Sequence, residues 1–346
     1  MRKLTYAQAI AEATIQAMQK NPNAYVMGLG VDDPKGIFNT TKPAFQKFGK
    51  TKVFDMPLAE NSLTGIAIGS ALTGMHPLMV HARCDFLFVC ADQIINQAAK
   101  WRFTYAGTKS IPLTIRAIIG QGWGQGVHHS QSPQAMFAHA PGIKVIMPAT
   151  AYDAKGLLLS AMEDLNPVLI IEHRRLFDLE DEVPKKYYTI PIGKANIIQK
   201  GADLTIIADS IMTRDALIAA SVLEKHNIST EVIDLRTIKP LDTQTIIRSI
   251  KKTGRIIIAD TGWKSFGVTA EIAAVIAENA QPDLKAPIQR IAALDTPTPC
   301  SYKLEELFYP SAIDIIKSAK KLFPNKKISL KNMPKSVENK NFTGPF

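Results

Sequence analysis

Two stretches of this 346-residue chain hold side chains suited to moving protons. Glu60 follows Pro57-Leu58-Ala59 and stands at the head of an apolar, glycine-studded run. Further on, residues 120–131 read Gly-Gln-Gly-Trp-Gly-Gln-Gly-Val-His-His-Ser-Gln, placing His128 and His129 on a segment that four glycines keep irregular. A carboxylate and an imidazole are common partners for acid–base work near neutral pH. Other chemistries fit poorly. His128, His129 and His139 lack the i, i+4 pairing with a carboxylate expected of a hydrolytic zinc site. Ser130 lacks the Gly-x-Ser-x-Gly elbow of a hydrolase. The loop matches neither the Walker spacing nor a dinucleotide fingerprint, and Gly28-Leu29-Gly30-Val31-Asp32-Asp33 lacks that fingerprint's third glycine. From the residues alone, Glu60 reads either as a working acid or as a first-turn acid stabilised by a helix dipole. The loop histidines likewise read as catalytic or structural.

The elements that must position these residues follow from local pattern. Pro57 closes the extended run 52–56, because the residue before a proline is driven out of the helical region. A helix is predicted from about Asn61 or Ser62, so Glu60 falls at a strand-to-helix junction. Gly65, Gly69 and Thr73 recur every four residues and form a stripe of small side chains, suited to a close helix contact across a subunit interface. Thr5 and Gln8 have capping-box spacing before a helix marked by Tyr6, Ile10, Ala13 and Ala17. Strands are predicted at 25–29, 76–82, 113–119, 144–147 and 168–172, with helices at 89–105 and 151–163 and an irregular bend at 83–86. Residues 178–200, rich in acids, prolines and paired lysines and tyrosines, read as a connection. A second alternation follows: strands at 204–208, 230–235, 255–259 and 288–293, helices from 209 to 225, 241–251 and 268–278, and a last helix at 311–322. This is an α/β chain of two domains with mainly parallel sheets: residues 1–180, a linker at 181–200, a second domain at 201–322 and a basic tail at 323–346.

Composition sets the bounds. A hydrophobic share of 46% in 346 residues leaves room for two cores. Cys84, Cys90 and Cys300 form no CxxC pair and no disulfide framework, which suits a reducing cytoplasm and offers no zinc site. No early apolar run resembles a signal peptide, and none is long enough to span a membrane. The net charge of +10 is concentrated in the tail, where seven lysines from Lys320 onward face Glu338 alone. That distribution reads as a solvated tail, without a nucleic-acid motif in the body.

Several segments together resemble one family. Pro57-Leu58-Ala59-Glu60 with Gly65-Ile-Ala-Ile-Gly69, Ala91-Asp92-Gln93-Ile94-Ile95-Asn96-Gln97-Ala98-Ala99-Lys100 and His129-Ser130-Gln131-Ser132 carry the match, with Ala140-Pro141-Gly142-Ile143-Lys144-Val145 and Asp153-Ala154-Lys155-Gly156-Leu157-Leu158. Arg236-Thr237-Ile238-Lys239-Pro240-Leu241-Asp242 and Gly262-Trp263 extend it into the second domain. Over residues 3–322 the chain resembles the β subunit of the thiamine-diphosphate-dependent decarboxylase component of 2-oxo acid dehydrogenases, in the transketolase-like superfamily. The resemblance implies a transketolase-like pyrimidine-binding domain followed by a transketolase C-terminal-like domain. It implies that Glu60 bonds N1′ of the cofactor's aminopyrimidine, that His129 assists proton transfer beside the reactive carbon, and that Leu58 and Phe86 line the pyrimidine pocket. A carboxylate in an apolar setting is well suited to sharing a proton with a weakly basic ring. A potassium ion would be held mainly by main-chain oxygens of Leu113, Ala161, Met162, Asp164 and Asn166; Asp164-Leu165-Asn166-Pro167 otherwise reads as an ordinary turn.

No Gly-Asp-Gly segment, which in this superfamily holds Mg²⁺ and the diphosphate, occurs in the chain. The resemblance therefore implies an α-type partner carrying that half of the site, an α₂β₂ assembly, and a lipoyl acyltransferase core as a further partner. Two departures concern the substrate. Arg83-Cys84-Asp85-Phe86 stands where the family has a Thr-Phe-Asn-Phe type segment, and His128 stands where Gln or Tyr is usual. Both add polarity, and Arg83 and His128 are candidate substrate residues for an anionic or hydroxylated compound; Arg83 paired with Asp85 on the surface is the alternative. A lysine-rich tail would repel a basic docking domain seated near Asp295. The alternatives to the decarboxylase reading are a split, transketolase-like ketol transferase acting on a sugar-like substrate and a non-catalytic scaffold subunit.

Overall fold

A computed structural model describes residues 2–33, 35–120, 124–330 and Ser336. The capping box forms as the spacing predicts: Thr5 and Gln8 exchange bonds at the head of helix Tyr6–Lys20. The N-terminal sheet has seven strands, in spatial order Thr237–Lys239, Lys144–Ile146, Val168–His173, Thr114–Ile119, His76–His81, Ala24–Gly28 and Val53–Asp55. All neighbours run parallel except the first pair. A second sheet orders Gln289–Ala293, Ile256–Trp263, Leu204–Ala208, Thr230–Asp234 and Asn196–Gln199, with only the last strand antiparallel to its neighbour.

The central strands are buried along their whole length, as Thr114–Ile119 and Val168–His173 show. Helices cover both faces of such sheets, so the strands read as continuous apolar runs. The two apolar cores are divided by sheet face, not by domain. Val26, Leu78, Val80, Leu204 and Ile206 belong to one cluster, while Met27, Met79, Ile115, Ile207 and Ile233 belong to the other. Side-chain alternation along each strand makes that division.

The structure corrects the sequence reading in several places. The stretch 178–200 is not a bare connection: Glu180–Val183 pairs antiparallel with Arg2–Thr5, and Asn196–Gln199 closes an edge of the second sheet. The short strand Thr237–Lys239, unpredicted, crosses back to the first sheet and pairs with Lys144–Ile146. Arg236 reinforces this crossing through an ion pair to Asp153 at 2.6 Å and through its carbonyl, which accepts from Met147 N–H. The bend at 83–86 belongs to a 3₁₀ turn, Cys84–Phe88, and the 89–105 helix is a π-helix, Asp92–Ala98, continuing into helix Ala99–Thr104. Gly142 sits at φ +97°, where a Cβ would lie 1.8 Å from the carbonyl oxygen of Ala99; only glycine lets the chain pass so closely beneath that helix. Lys331, Lys335, Glu338 and Lys340 of the basic tail lie outside the described residues, as do Gln121, Gly122 and Trp123 of the glycine loop. No helix among the described residues is long and apolar enough to cross a membrane.

Candidate functional site

Three parallel strands, two of them adjacent and the third one strand further out, deliver the candidate residues to the same carboxyl-terminal side of the first sheet. Strand Val53–Asp55 leads through Pro57 to Glu60, the first residue of helix Glu60–Leu72. Strand His76–His81 leads to Arg83 and the turn Cys84–Phe88, and strand Thr114–Ile119 leads into the glycine loop. The carboxyl ends of parallel strands are the usual ligand edge of an α/β sheet.

Glu60 is 9% exposed, and its main-chain carbonyl accepts from the Thr64 hydroxyl at 2.7 Å. Its carboxylate takes no hydrogen bond or ion pair from the described residues. Beside it, Cys90 donates toward the carbonyls of Leu87 and Phe86, at 3.5 and 3.8 Å. Burial, with a lesser contribution from the Glu60 charge, pushes the Cys90 thiol up to about 11, so it stays an inert thiol. Phe86 meets the His129 ring edge-to-face, with centroids 5.5 Å apart and planes at 84°. Glu60 is thus linked through Cys90 to Phe86 and through Phe86 to His129, and Leu58, two residues ahead of Glu60, is 83% exposed.

Arg83 and Asp85 are both buried, so the surface pair considered from sequence does not form. Arg83 instead gives its Nε–H to Gln125 Oε1 at 3.2 Å and a second bond to the Ala82 carbonyl at 2.7 Å. Its guanidinium, with that of Arg174, packs near the Phe38 ring, at 6.0 and 4.4 Å. His128 is exposed at the end of the turn Gly126–His128. The proposed potassium positions gather elsewhere, at the amino ends of the central strands. There the Leu113 carbonyl accepts from Val168 N–H and the Ala161 carbonyl from Thr114 Oγ1. Met162 caps helix Ala151–Ala161, Asp164 accepts from Asn166, and Lys144 pairs with Asp164.

The second domain closes over the glycine loop through residues the sequence reading passed over. Glu305 accepts from Gly124 N–H at 2.9 Å, Thr298 Oγ1 donates to the Ser130 carbonyl at 3.4 Å, and a Cβ on Gly126 would lie 2.3 Å from Cys300 Sγ. Gln134 donates to Asp260 at 2.5 Å, and burial pushes the Asp260 carboxyl up. Ser301 ahead of Leu304, Leu307 and Phe308 is a helix signal, and helix Tyr302–Phe308 does form. Yet it buries Glu305 and Phe308 and exposes both leucines, so apolar pattern alone would have oriented it wrongly.

His81, buried at the end of its strand, is pushed down by burial to about 4, and neither ring nitrogen has a partner among the described residues. Between its ordinary value of 6.5 and about 4, the unfolded chain binds a proton that the folded chain refuses. Stability therefore falls as pH drops through that window. His81→Phe removes both the orphaned nitrogens and the titration. We expect a higher thermal midpoint, with the gain widening from pH 6.5 toward 4 in scanning calorimetry; a gain independent of pH contradicts a buried neutral imidazole.

The sequence matches two family models in tandem, the transketolase pyrimidine-binding domain over residues 2–178 and the transketolase C-terminal domain over 193–315. It is 40% identical to the β subunit of acetoin:2,6-dichlorophenolindophenol oxidoreductase of Cupriavidus necator, over 92% of this chain and 97% of that one. The chain belongs to the transketolase-like family of thiamine-diphosphate-dependent dehydrogenase β subunits. Within this family it is also 40% identical to the 2-oxoisovalerate dehydrogenase β subunit of Bacillus subtilis, over 89% of this chain and 95% of that one. It is 39% identical to the pyruvate dehydrogenase E1 β subunit of Staphylococcus epidermidis, over 92% and 98%. A solved split-gene transketolase, described as an inactive β₄ tetramer, shares the fold of this β-type chain with a TM-score of 0.76 at 24% identity, covering 94% of this chain and 99% of that one.

Proposed function

We propose that this β subunit, paired with an α-type subunit, completes the active site of a thiamine-diphosphate enzyme that cleaves the bond beside the carbonyl of a 2-oxo acid and passes the acyl group to a lipoyl acceptor. The observation that carries this reading is Glu60: a buried carboxylate at the ligand edge of the sheet, unpartnered among the described residues, near Cys90, whose thiol points toward the carbonyl of Phe86, the ring that meets His129. These residues fit the aminopyrimidine end of the cofactor, offering a proton-sharing group and apolar surface. Bound thiamine diphosphate supplies the electron sink for cleavage beside a carbonyl. Glu60 shares a proton with N1′ of its pyrimidine ring, Leu58 and Phe86 cover that ring and exclude water, and His129 moves a proton at the substrate or acceptor oxygen. With no Gly-Asp-Gly segment in the chain, Mg²⁺ and the diphosphate belong to the α-type subunit. Leu113, Ala161, Met162, Asp164 and Asn166 hold the potassium ion, in keeping with their gathering at one corner of the sheet.

The α₂β₂ arrangement is supported by the open face of helix Glu60–Leu72. A Cβ on Gly69 would meet nothing within 4 Å among the described residues, and Ile66 and Leu72 stand exposed. The domain limits 1–180 and 201–322, the tail at 323–346 and a cytoplasmic setting complete the proposal. Relatives named for pyruvate, 2-oxoisovalerate and acetoin are about equally similar, so the pocket has to decide the substrate. There, exposed His128 and the Arg83–Gln125 pair favour a polar compound.

A second reading, ketol transfer outside a multienzyme complex, is favoured by the surroundings of Asp295. This exposed acid is held by Ser265, and the charges of Lys264 and Arg290 help keep its carboxyl below its ordinary value. Cations placed there oppose a basic docking domain. Reconstitution with the α-type subunit tests the proposal: cofactor binding should need both chains, and reductive acylation of a free lipoyl domain should follow. Transfer of a ketol group to an aldose, with no lipoyl product, favours the second reading.

A further inference from the structure

The turn Cys84–Phe88 and the histidine loop meet at three points although some forty residues of chain separate them. Arg83 bonds Gln125 at 3.2 Å, Phe86 meets His129 with centroids 5.5 Å apart, and Asp85 bonds Gln131. The last contact is the most demanding. Asp85 Oδ1 accepts both the main-chain N–H of Gln131, at 3.2 Å, and its side-chain amide, at 2.9 Å. Asp85 is 6% exposed. A buried carboxylate that takes two N–H groups from a single residue fixes both the backbone and the side chain of that residue.

We propose that Asp85 is a positioning residue for His129: it ties the chain two residues beyond the imidazole to the same turn that presents Phe86. The inference rests on the reading of His129 as an active-site residue. Glycines 124 and 126, at φ +73° and +65°, leave the loop ahead of His129 with backbone freedom that regular secondary structure would remove. Something must take up that freedom if the imidazole is to stay within reach of a reacting atom. The loop is held at its beginning by Glu305 on Gly124 N–H and at its end by Asp85 on Gln131. Of these two anchors, only Asp85 sits on the element that carries Phe86, so it sets the spacing between the two rings. Arg83 provides a compensating charge for the buried carboxylate: burial pushes its guanidinium down, while Asp85 pulls it back up.

The test uses the full chain with Asp85→Ala and Asp85→Asn, alone and reconstituted with the α-type subunit. The readout that does not depend on activity is the NMR position of the His129 ring protons, assigned by loss of signal in His129→Gln and displaced from free-histidine values by the Phe86 ring current. In Asp85→Ala we expect that displacement to vanish, and kcat to fall about 10- to 100-fold with KM changed less than about threefold. Asp85→Asn keeps the Oδ1 acceptor, so it should retain the displacement and keep kcat within about threefold of the parent. Should Asp85→Ala fail to fold, Gln131→Ala removes only the 2.9 Å bond and should give a partial loss of the displacement. An unchanged His129 signal in Asp85→Ala, or in Gln131→Ala where that variant stands in, overturns the proposal. So does Asp85→Asn losing as much as Asp85→Ala, because charge rather than acceptor geometry would then be at work. If no α-type subunit restores activity, the functional reading fails while the ring-proton result still decides the positioning role.

Discussion

Replacement of Glu60 by alanine is expected to lower turnover of the reconstituted enzyme by about a thousandfold, within the usual range for a lost acid–base group. The chain itself should scarcely notice. The carboxylate makes no hydrogen bond or ion pair with the described residues, so its removal breaks no polar contact among them. The unfolding midpoint should not fall, because the substitution removes a buried carboxylate that has no partner among the described residues to offset its desolvation. Glu60→Gln keeps the size and the hydrogen-bonding atoms but not the proton exchange, and should fall nearly as far. Steady-state kinetics and thermal melts of the same preparations check both halves. Full activity in Glu60→Ala would remove the cofactor-binding role and, with it, either reading of the site.

The second large effect is on stability. Arg116 and Glu172, on adjacent central strands, form a bidentate ion pair at 2.6 and 2.8 Å with side-chain exposures of 0% and 2%. Two charges buried to that degree are costly to separate, because the survivor remains in a low-dielectric interior without its counter-charge. Glu172→Ala should therefore destabilise the chain by about 3–5 kcal/mol, measured by urea denaturation. Replacing both residues together, as Arg116→Met with Glu172→Leu, should recover most of the loss, since a packed apolar pair of similar volume avoids desolvating either charge. Burial pushes the Tyr6 hydroxyl well up, and the Glu172 charge adds to it, so tyrosine, arginine and glutamate share one buried polar layer. Strand Thr114–Ile119, which this layer anchors, leads directly into the histidine loop. A loss below about 1 kcal/mol in Glu172→Ala would mean that the pair is not buried as described.

Those two residues mark where sequence reading succeeds and where it stops. The strand holding Arg116 was legible because both of its faces are buried, which leaves an apolar run that one arginine does not disguise. Its partner was not, because the pairing of Arg116 with Glu172 is made by strand order and leaves no trace in spacing. The helix after Thr5 was legible because its cap is local. The strand Thr237–Lys239 was not, because a three-residue segment with one apolar side chain acquires strand character only when Lys144–Ile146 is already beside it. The Ile37–Asn39 turn is a further case. All three residues adopt positive φ, at 40°, 55° and 64°, which no local rule expects of isoleucine or phenylalanine. Packing of Phe38 against Phe177 and Arg174 holds it there.

At the site, Glu60 and His129 stood out because their types are suited to acid–base work and their flanking glycines and proline announce junctions. The groups that hold them did not. Asp85, Gln125, Gln131, Thr298 and Glu305 are ordinary polar residues in sequence, and they matter through contacts that span from 42 to 181 positions. The stripe at Gly65 and Gly69 was legible as a place of close approach, but among the described residues nothing lies within 4 Å of a Cβ placed on Gly69. On the proposed function that face meets another subunit, which one chain's sequence does not contain.

On the proposed function, this chain carries the pyrimidine half of a shared thiamine-diphosphate site. Calorimetric titration of thiamine diphosphate with Mg²⁺, first into the chain alone and then into the chain with its α-type partner, tests that claim most directly. The account predicts tight binding only in the pair, weakened by Glu60→Ala. Tight binding by the isolated chain would contradict it, and would mean that the diphosphate and its metal are held by residues of this chain.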